Sequence, residues 1–141
     1  MSELSDLYQE VILDHNKNPR NWGHIDNCSN HSEGFNPLCG DHIDLFLNVE
    51  GKTIKDVKFE ANGCAISKAS ASIMSALIKG KNFEEVKALY DEFHQIVTHG
   101  CEDHEPTEIN LEVFCGVKEY PTRVKCATLA WHTLVDALNK V

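Results

Sequence analysis

The chain has 141 residues, 42% of them hydrophobic and 25% charged, a size and balance that fit one folded domain with its own core and exclude a disordered chain. Its formal net charge of −9 excludes a general nucleic-acid binder, which needs basic side chains to displace phosphate counterions, and disfavours an anionic membrane surface. The acidity is uneven: Lys87 and Lys118 are the only basic residues between Glu84 and Glu119, whereas from Pro121 onward Arg123, Lys125 and Lys140 face Asp136 alone. A solvated acidic face is the plainer reading of this asymmetry, and a docking face for a basic partner the sharper one.

Met1–Leu13 contains acidic residues and no basic start, so it does not read as a secretory signal, and no apolar run reaches the length of a membrane span. A cytoplasmic location is the resulting expectation. Six cysteines in a reducing compartment are then expected as thiols, metal ligands or redox groups, not as a disulfide framework.

In chain order, Leu4, Leu7, Tyr8, Val11 and Ile12 recur at helical spacing and predict a first helix, capped by Ser2 or Ser5. His15–His24 is a polar loop closed by Pro19 and Gly23, and Ile25–Asn36 is ambiguous, with room for a short strand. Ile43, Leu45, Leu47 and Val49, then Val57, Phe59 and Ala61, alternate with polar positions on either side of Glu50-Gly51-Lys52, which predicts a β-hairpin with one buried face. Cys64–Ile78 reads as an Ala- and Ser-rich helix ending near Gly80, and a second helix starts at Lys81 or Asn82 with Phe83, Val86, Leu89, Tyr90 and Phe93 on its apolar face. Thr98–Glu108 reads as a loop, Leu111–Val117 as a turn or short helix, and Pro121 leads into a last helix with Cys126, Leu129, Ala130, Thr133, Leu134, Ala137 and Leu138 on its stripe. Strands followed by a run of helices predict a single α+β domain over residues 1–141, with a small antiparallel sheet of about three strands and helices on one face.

Three cysteines fall where these elements change. Cys39 lies in Pro37-Leu38-Cys39-Gly40-Asp41 before the first strand, Cys64 follows Gly63 between strand and helix, and Cys126 is placed in the first turn or so of the last helix. A helix N-terminus offers unpaired N–H groups and partial positive charge, both of which favour a thiolate, and Arg123 and Lys125 add charge near Cys126. Gly40 permits a tight turn that points Cys39 and Asp41 toward one centre. Three thiolates and a carboxylate suit tetrahedral zinc, and three thiolates also suit iron–sulfur chemistry. The spacing is no zinc-finger template, since Cys39 to Cys64 spans 25 residues and Cys64 to Cys126 spans 62. Cys64 and Cys126 as small buried core residues is the structural alternative.

At these residues the sequence resembles a known family. Asn36-Pro37-Leu38-Cys39-Gly40-Asp41, Gly63-Cys64-Ala65-Ile66-Ser67 with the following Lys68-Ala69-Ser70-Ala71-Ser72, and Lys125-Cys126-Ala127-Thr128-Leu129-Ala130-Trp131 resemble, in order, the three signatures of U-type iron–sulfur cluster assembly proteins (NifU N-terminal and IscU-like). Leu7-Tyr8, Asp14-His15 and Asn18-Pro19-Arg20-Asn21 resemble the family's start. Within it the chain is most similar to the SufU-type sulfur-acceptor branch. Lys125 stands where the scaffold branch typically has His before the third cysteine, extra sequence covers roughly Asn82–Glu108, and the Phe114–Gly116 and Pro121-Thr122-Arg123 context fits as well.

The resemblance implies a zinc site of Cys39, Asp41, Cys64 and Cys126, with Cys39 accepting sulfur from a pyridoxal-phosphate-dependent, SUF-type cysteine desulfurase and Arg123 in support. It also implies hand-over to downstream iron–sulfur assembly proteins. The alternative within the family is a scaffold that binds iron and assembles a [2Fe–2S] cluster on Cys39, Cys64 and Cys126. Outside the family, a Cys–His hydrolase or transferase predicts one essential thiol without metal, and a plain binding module predicts indifference to all these residues.

The remaining reactive types read as structural. His94, His99, Cys101 and His104 form a second ligand-competent cluster, for which an exposed polar loop is the preferred reading. Cys28 and Cys115 have no partner at ligand spacing and read as core residues or inert thiols. His15 and His42 read as structural, and Trp22 and Trp131 as packing residues, with a rim or docking role as the alternative. Ser67–Ser75 lacks Gly-x-Ser-x-Gly and reads as a close helix contact.

Overall fold

The computed structural model describes residues 3–37, 40–101 and 109–139, with side chains from Gln9 onward and excluding that of Ile109. The elements are α1 (Glu3–Lys17), β1 (Asn30–Asn36), β2 (Asp41–Glu50), β3 (Thr53–Asn62), α2 (Ala65–Ile78), α3 (Phe83–His99), two 3₁₀ turns at Ile109–Phe114 and Val117–Glu119, and α4 (Pro121–Leu138). The three strands form one antiparallel sheet in the order β1-β2-β3.

The hairpin forms as the alternation requires. Ile43, Leu45 and Leu47 of β2 and Ile54, Val57 and Phe59 of β3 are buried, while the residues between them face outward, half-buried or exposed. Gly51 supplies the positive φ, 61°, at the turn. α2 and α4 cover the buried face, with α1 packed on α2 and α3 on α4. The architecture is therefore α+β, with helices on one face of a three-stranded sheet.

β1 was the ambiguous segment, and its chemistry explains why. Its inward positions are Asn30, Ser32, Gly34 and Asn36, which carry no hydrophobic alternation. Asn30 Nδ2 donates to the Ala137 carbonyl at 2.8 Å, and Ser32 Oγ donates to Asp136 in a short contact. A Cβ on Gly34 would collide with Thr133 Oγ1 and press Ile43 and Leu129. The strand is held against α4 by hydrogen bonds and close approach, where the hairpin is held by apolar burial.

The serines of α2 hold it to its neighbours by side-chain hydrogen bonds. Ser70 Oγ donates to the Ala127 carbonyl of α4 at 2.6 Å, Ser72 Oγ accepts from the Arg20 N–H at 2.8 Å and bonds His15 Nδ1 at 2.7 Å, and Ser75 Oγ accepts from Asn21 Nδ2 at 3.1 Å. Small side chains let the helices approach, and each buried hydroxyl is satisfied. Trp131 is fully buried and stacked on Phe93 with centroids 4.5 Å apart. Trp22 is a rim residue, its edge on Phe59 and Lys68 Nζ above its ring. α3 starts in a capping box, Asn82 with Glu85, and runs through His99, further than the expected loop allowed.

One expectation is overturned. Cys101 and Cys115 are joined in a disulfide that ties the end of α3 to the 3₁₀ turn, with Cα atoms 5.4 Å apart. Cys115 is thus no inert thiol, and Cys101 is no member of a histidine ligand cluster. His94 stacks on Tyr90, His99 Nδ1 pairs with Thr98 Oγ1, and His104 lies outside the described residues. Among the described residues, Cys28, Cys64 and Cys126 are not part of a disulfide.

Candidate metal centre

The site forms where the hairpin meets two helices. Asp41 opens β2 and pairs in register with Asn36, the last residue of β1. Gly63 follows β3 with φ 137°, a conformation that side chains rarely adopt, and a Cβ there would run into the Asp41 backbone and carboxylate. That close approach brings Cys64, the N-cap of α2, onto Asp41. The Cys64 N–H donates to Asp41 Oδ1 at 2.8 Å, Cys64 Sγ lies 3.9 Å from Asp41 Oδ2, and the Ser67 N–H points at Cys64 Sγ from 3.4 Å. Cys64 therefore occupies the orphan-donor end of α2 that the sequence assigns it.

Cys126 reaches the same point from α4. It is buried, with Asn36 Nδ2 directed at its Sγ from 3.9 Å. α4 begins at Pro121, so Cys126 stands in the second turn, and the unpaired N–H groups of the first turn belong to residues before it. One ligand atom from each of Asp41, Cys64 and Cys126 lies within 4.8 Å of the others. Tetrahedral zinc with bonds of about 2.0–2.3 Å places its donors roughly 3–4 Å apart, so a small contraction closes this set around one ion.

The donor chemistry fits such an ion. Asp41 is fully buried, and two sulfurs sit beside its carboxylate. A buried carboxylate beside two cysteine sulfurs is a donor set of the kind that holds tetrahedral zinc. Cys39 lies outside the described residues, separated from Asp41 in sequence by Gly40 alone.

A cleft of about 740 Å³ opens over the site, with Cys64 and Cys126 in its wall beside Ile12, Leu13, Tyr120 and Arg123. Leu13 and Tyr120 are exposed apolar residues at its rim. Arg123 also lies over the Tyr120 ring, 5.3 Å from its centroid, so its guanidinium is held at the cleft. Lys125 is exposed and is not part of the lining. Asn36 is the residue whose contact with a site sulfur the sequence did not single out; its place at the head of the first signature is the signal that could have found it.

A three-stranded antiparallel sheet backed by helices, with two cysteines and an aspartate converging at its end, describes a small metal- or cluster-handling domain. The chain belongs to the NifU-like N terminal domain family, which matches residues 7–140. It is 41% identical over 140 residues to the zinc-dependent sulfurtransferase SufU of Bacillus subtilis (strain 168), covering 99% of this chain and 94% of that protein. It is 42% identical over 135 residues to the iron-sulfur cluster assembly scaffold protein IscU of Thermotoga maritima, covering 96% of this chain and 94% of that one. A crystal structure of a candidate iron-sulfur cluster assembly scaffold protein for the SUF system from Fervidobacterium islandicum AW-1 superposes with a TM-score of 0.81 at 36% identity, over 98% of this chain and 99% of that one. Among the described residues, no helix is long and apolar enough to cross a membrane.

Proposed function

We propose that the chain is a zinc-dependent sulfur acceptor for a pyridoxal-phosphate-dependent cysteine desulfurase of the SUF type, acting in the cytoplasm and passing sulfur to downstream iron–sulfur assembly proteins. The observation that carries this reading is the convergence of Asp41, Cys64 and Cys126 within 4.8 Å, with Cys64 and Cys126 in the wall of an open cleft. Full-length similarity to a zinc-dependent sulfurtransferase supports it.

Cys39 is the proposed fourth ligand and sulfur acceptor. Zinc, when bound, keeps the ligand thiols deprotonated and shielded from oxidation. Asp41 and Cys64 act as a pair, since the Cys64 N–H fixes the Asp41 carboxylate while the Ser67 N–H holds Cys64 Sγ at the start of α2. Arg123 stands at the cleft edge to meet a partner and to favour an incoming anionic sulfur. In the transfer, the Cys39 thiolate attacks the outer sulfur of the desulfurase persulfide. A new S–S bond forms on Cys39, the donor's S–S bond breaks, and the desulfurase cysteine leaves as thiolate, so no external oxidant or reductant is needed.

The test is a single-turnover reaction of ³⁵S-cysteine with a SUF-type desulfurase and this chain. Label should appear on the chain and vanish in Cys39→Ser. Absence of label on the wild type, or its survival in Cys39→Ser, would overturn the reading. Similarity to the IscU of Thermotoga maritima favours one second reading, a scaffold for a [2Fe–2S] cluster. Protein that is purified with little zinc and gains a stable visible spectrum on loading with iron and sulfide would select it.

A further inference from the structure

We infer a second cation site on the outer face of the sheet, formed by His31 and Glu33 of β1 and Asp44 of β2, suited to a divalent first-row transition ion through nitrogen and oxygen donors. It is separate from the thiolate centre. In β2 the odd-numbered residues from Asp41 to Leu47 face the helices and the even-numbered ones face out, so Asp41 and Asp44 lie on opposite faces, about 10 Å apart along the strand.

Three features make this a built cluster. First, one donor atom from each of His31, Glu33 and Asp44 lies within 4.8 Å of the others. Second, Glu33 and Asp44 are directly opposed in the β1–β2 register. Facing carboxylates destabilise a strand pair, and a bound cation reverses the sign of that contact. Third, the Asp44 carboxylate is bracketed by imidazoles, with Oδ1 at 3.2 Å from His31 Nε2 and Oδ2 at 3.9 Å from His42 Nδ1. The His31 ring is held flat on Phe46, centroids 4.7 Å apart and planes 15° from parallel, which fixes the direction of its nitrogens. A ring oriented before an ion arrives loses less freedom on binding. Imidazole with carboxylates and water favours ions of borderline hardness such as Fe²⁺, Co²⁺, Ni²⁺ and Zn²⁺ over Ca²⁺ or Mg²⁺, while thiophilic ions keep to the Asp41, Cys64 and Cys126 set.

The test uses the full-length chain with zinc at the thiolate centre and Ni²⁺ as the probe, followed by calorimetry, by ultraviolet absorption and by the NMR signals of the histidine rings. The expected result is one further saturable Ni²⁺ equivalent, broadening of the His31 ring signals and no sulfur-to-nickel charge-transfer band. His31→Ala and Asp44→Asn should each weaken binding by at least the ~10-fold that losing even an outer partner of a ligand costs. His24→Ala, which alters another exposed histidine of the same face near Asp26 and Glu60, should not. Lack of saturable binding, a charge-transfer band with release of zinc, or equal loss in His24→Ala and His31→Ala would overturn the inference.

Discussion

The backbone N–H of Cys64 donates to the carboxylate of Asp41 at 2.8 Å, so one metal-competent residue orients another across the junction of β2 and α2. Asp41→Ala removes a ligand and leaves that N–H without its acceptor. Zinc affinity, measured by competition with a chromophoric chelator, should fall, and the folded protein should lose about 1–3 kcal/mol from the unpaired donor. Unchanged zinc affinity would remove Asp41 from the ligand set.

Gly63 makes this junction possible, because its φ of 137° and the contact with Asp41 leave no room for a side chain. Gly63→Ala should displace Asp41 and weaken zinc binding as Asp41→Ala does, although no ligand is altered. Gly34→Ala, whose Cβ would press Thr133 and Leu129 of α4, should lower the melting temperature by the overpacking cost of about 1–3 kcal/mol. Equal zinc affinity in Gly63→Ala and wild type would contradict the proposed junction.

Much of this arrangement is legible in the sequence because apolar alternation and glycine positions carry it. Ile43 to Val49 and Val57 to Ala61 announce the hairpin, and Gly63-Cys64 announces a strand that turns into a helix. β1 is not legible, because Asn30, Ser32, Gly34 and Asn36 are inward-facing without being hydrophobic, and their partners Thr133, Asp136 and Ala137 lie about a hundred residues away. The disulfide escapes for a related reason. Cys101 and Cys115 are 14 residues apart, and only the packing of α3 against the 3₁₀ turn brings their Cα atoms to 5.4 Å. Inference from a reducing compartment pointed the other way.

The Cys101–Cys115 bond closes a 14-residue separation, and restricting the unfolded chain over such a loop stabilises by about 3 kcal/mol. Oxidised protein should therefore melt roughly 10 °C above reduced protein, and the double variant Cys101→Ala/Cys115→Ala should not respond to reductant. Free thiols at both positions in air-oxidised protein, titrated after denaturation without reductant, would contradict the pairing.

His15 is buried against Ser72, and burial, reinforced by the Arg20 charge and opposed by Asp14, lowers its pKa below the ordinary value of 6.5. The unfolded chain then binds the proton more tightly than the folded one. The stabilising contribution is complete above about pH 6.5 and is lost as pH falls through the lower folded value. Thermal melts from pH 7.5 to 5 should show a decline that is shallower in His15→Gln. Parallel declines in the two proteins would assign the effect elsewhere.

The most direct test is zinc X-ray absorption on freshly purified full-length protein. One zinc per chain with three sulfur donors and one oxygen donor is the expected result, as Cys39, Cys64, Cys126 and Asp41 require. Zinc-free protein, or an ion surrounded only by nitrogen and oxygen, would contradict it.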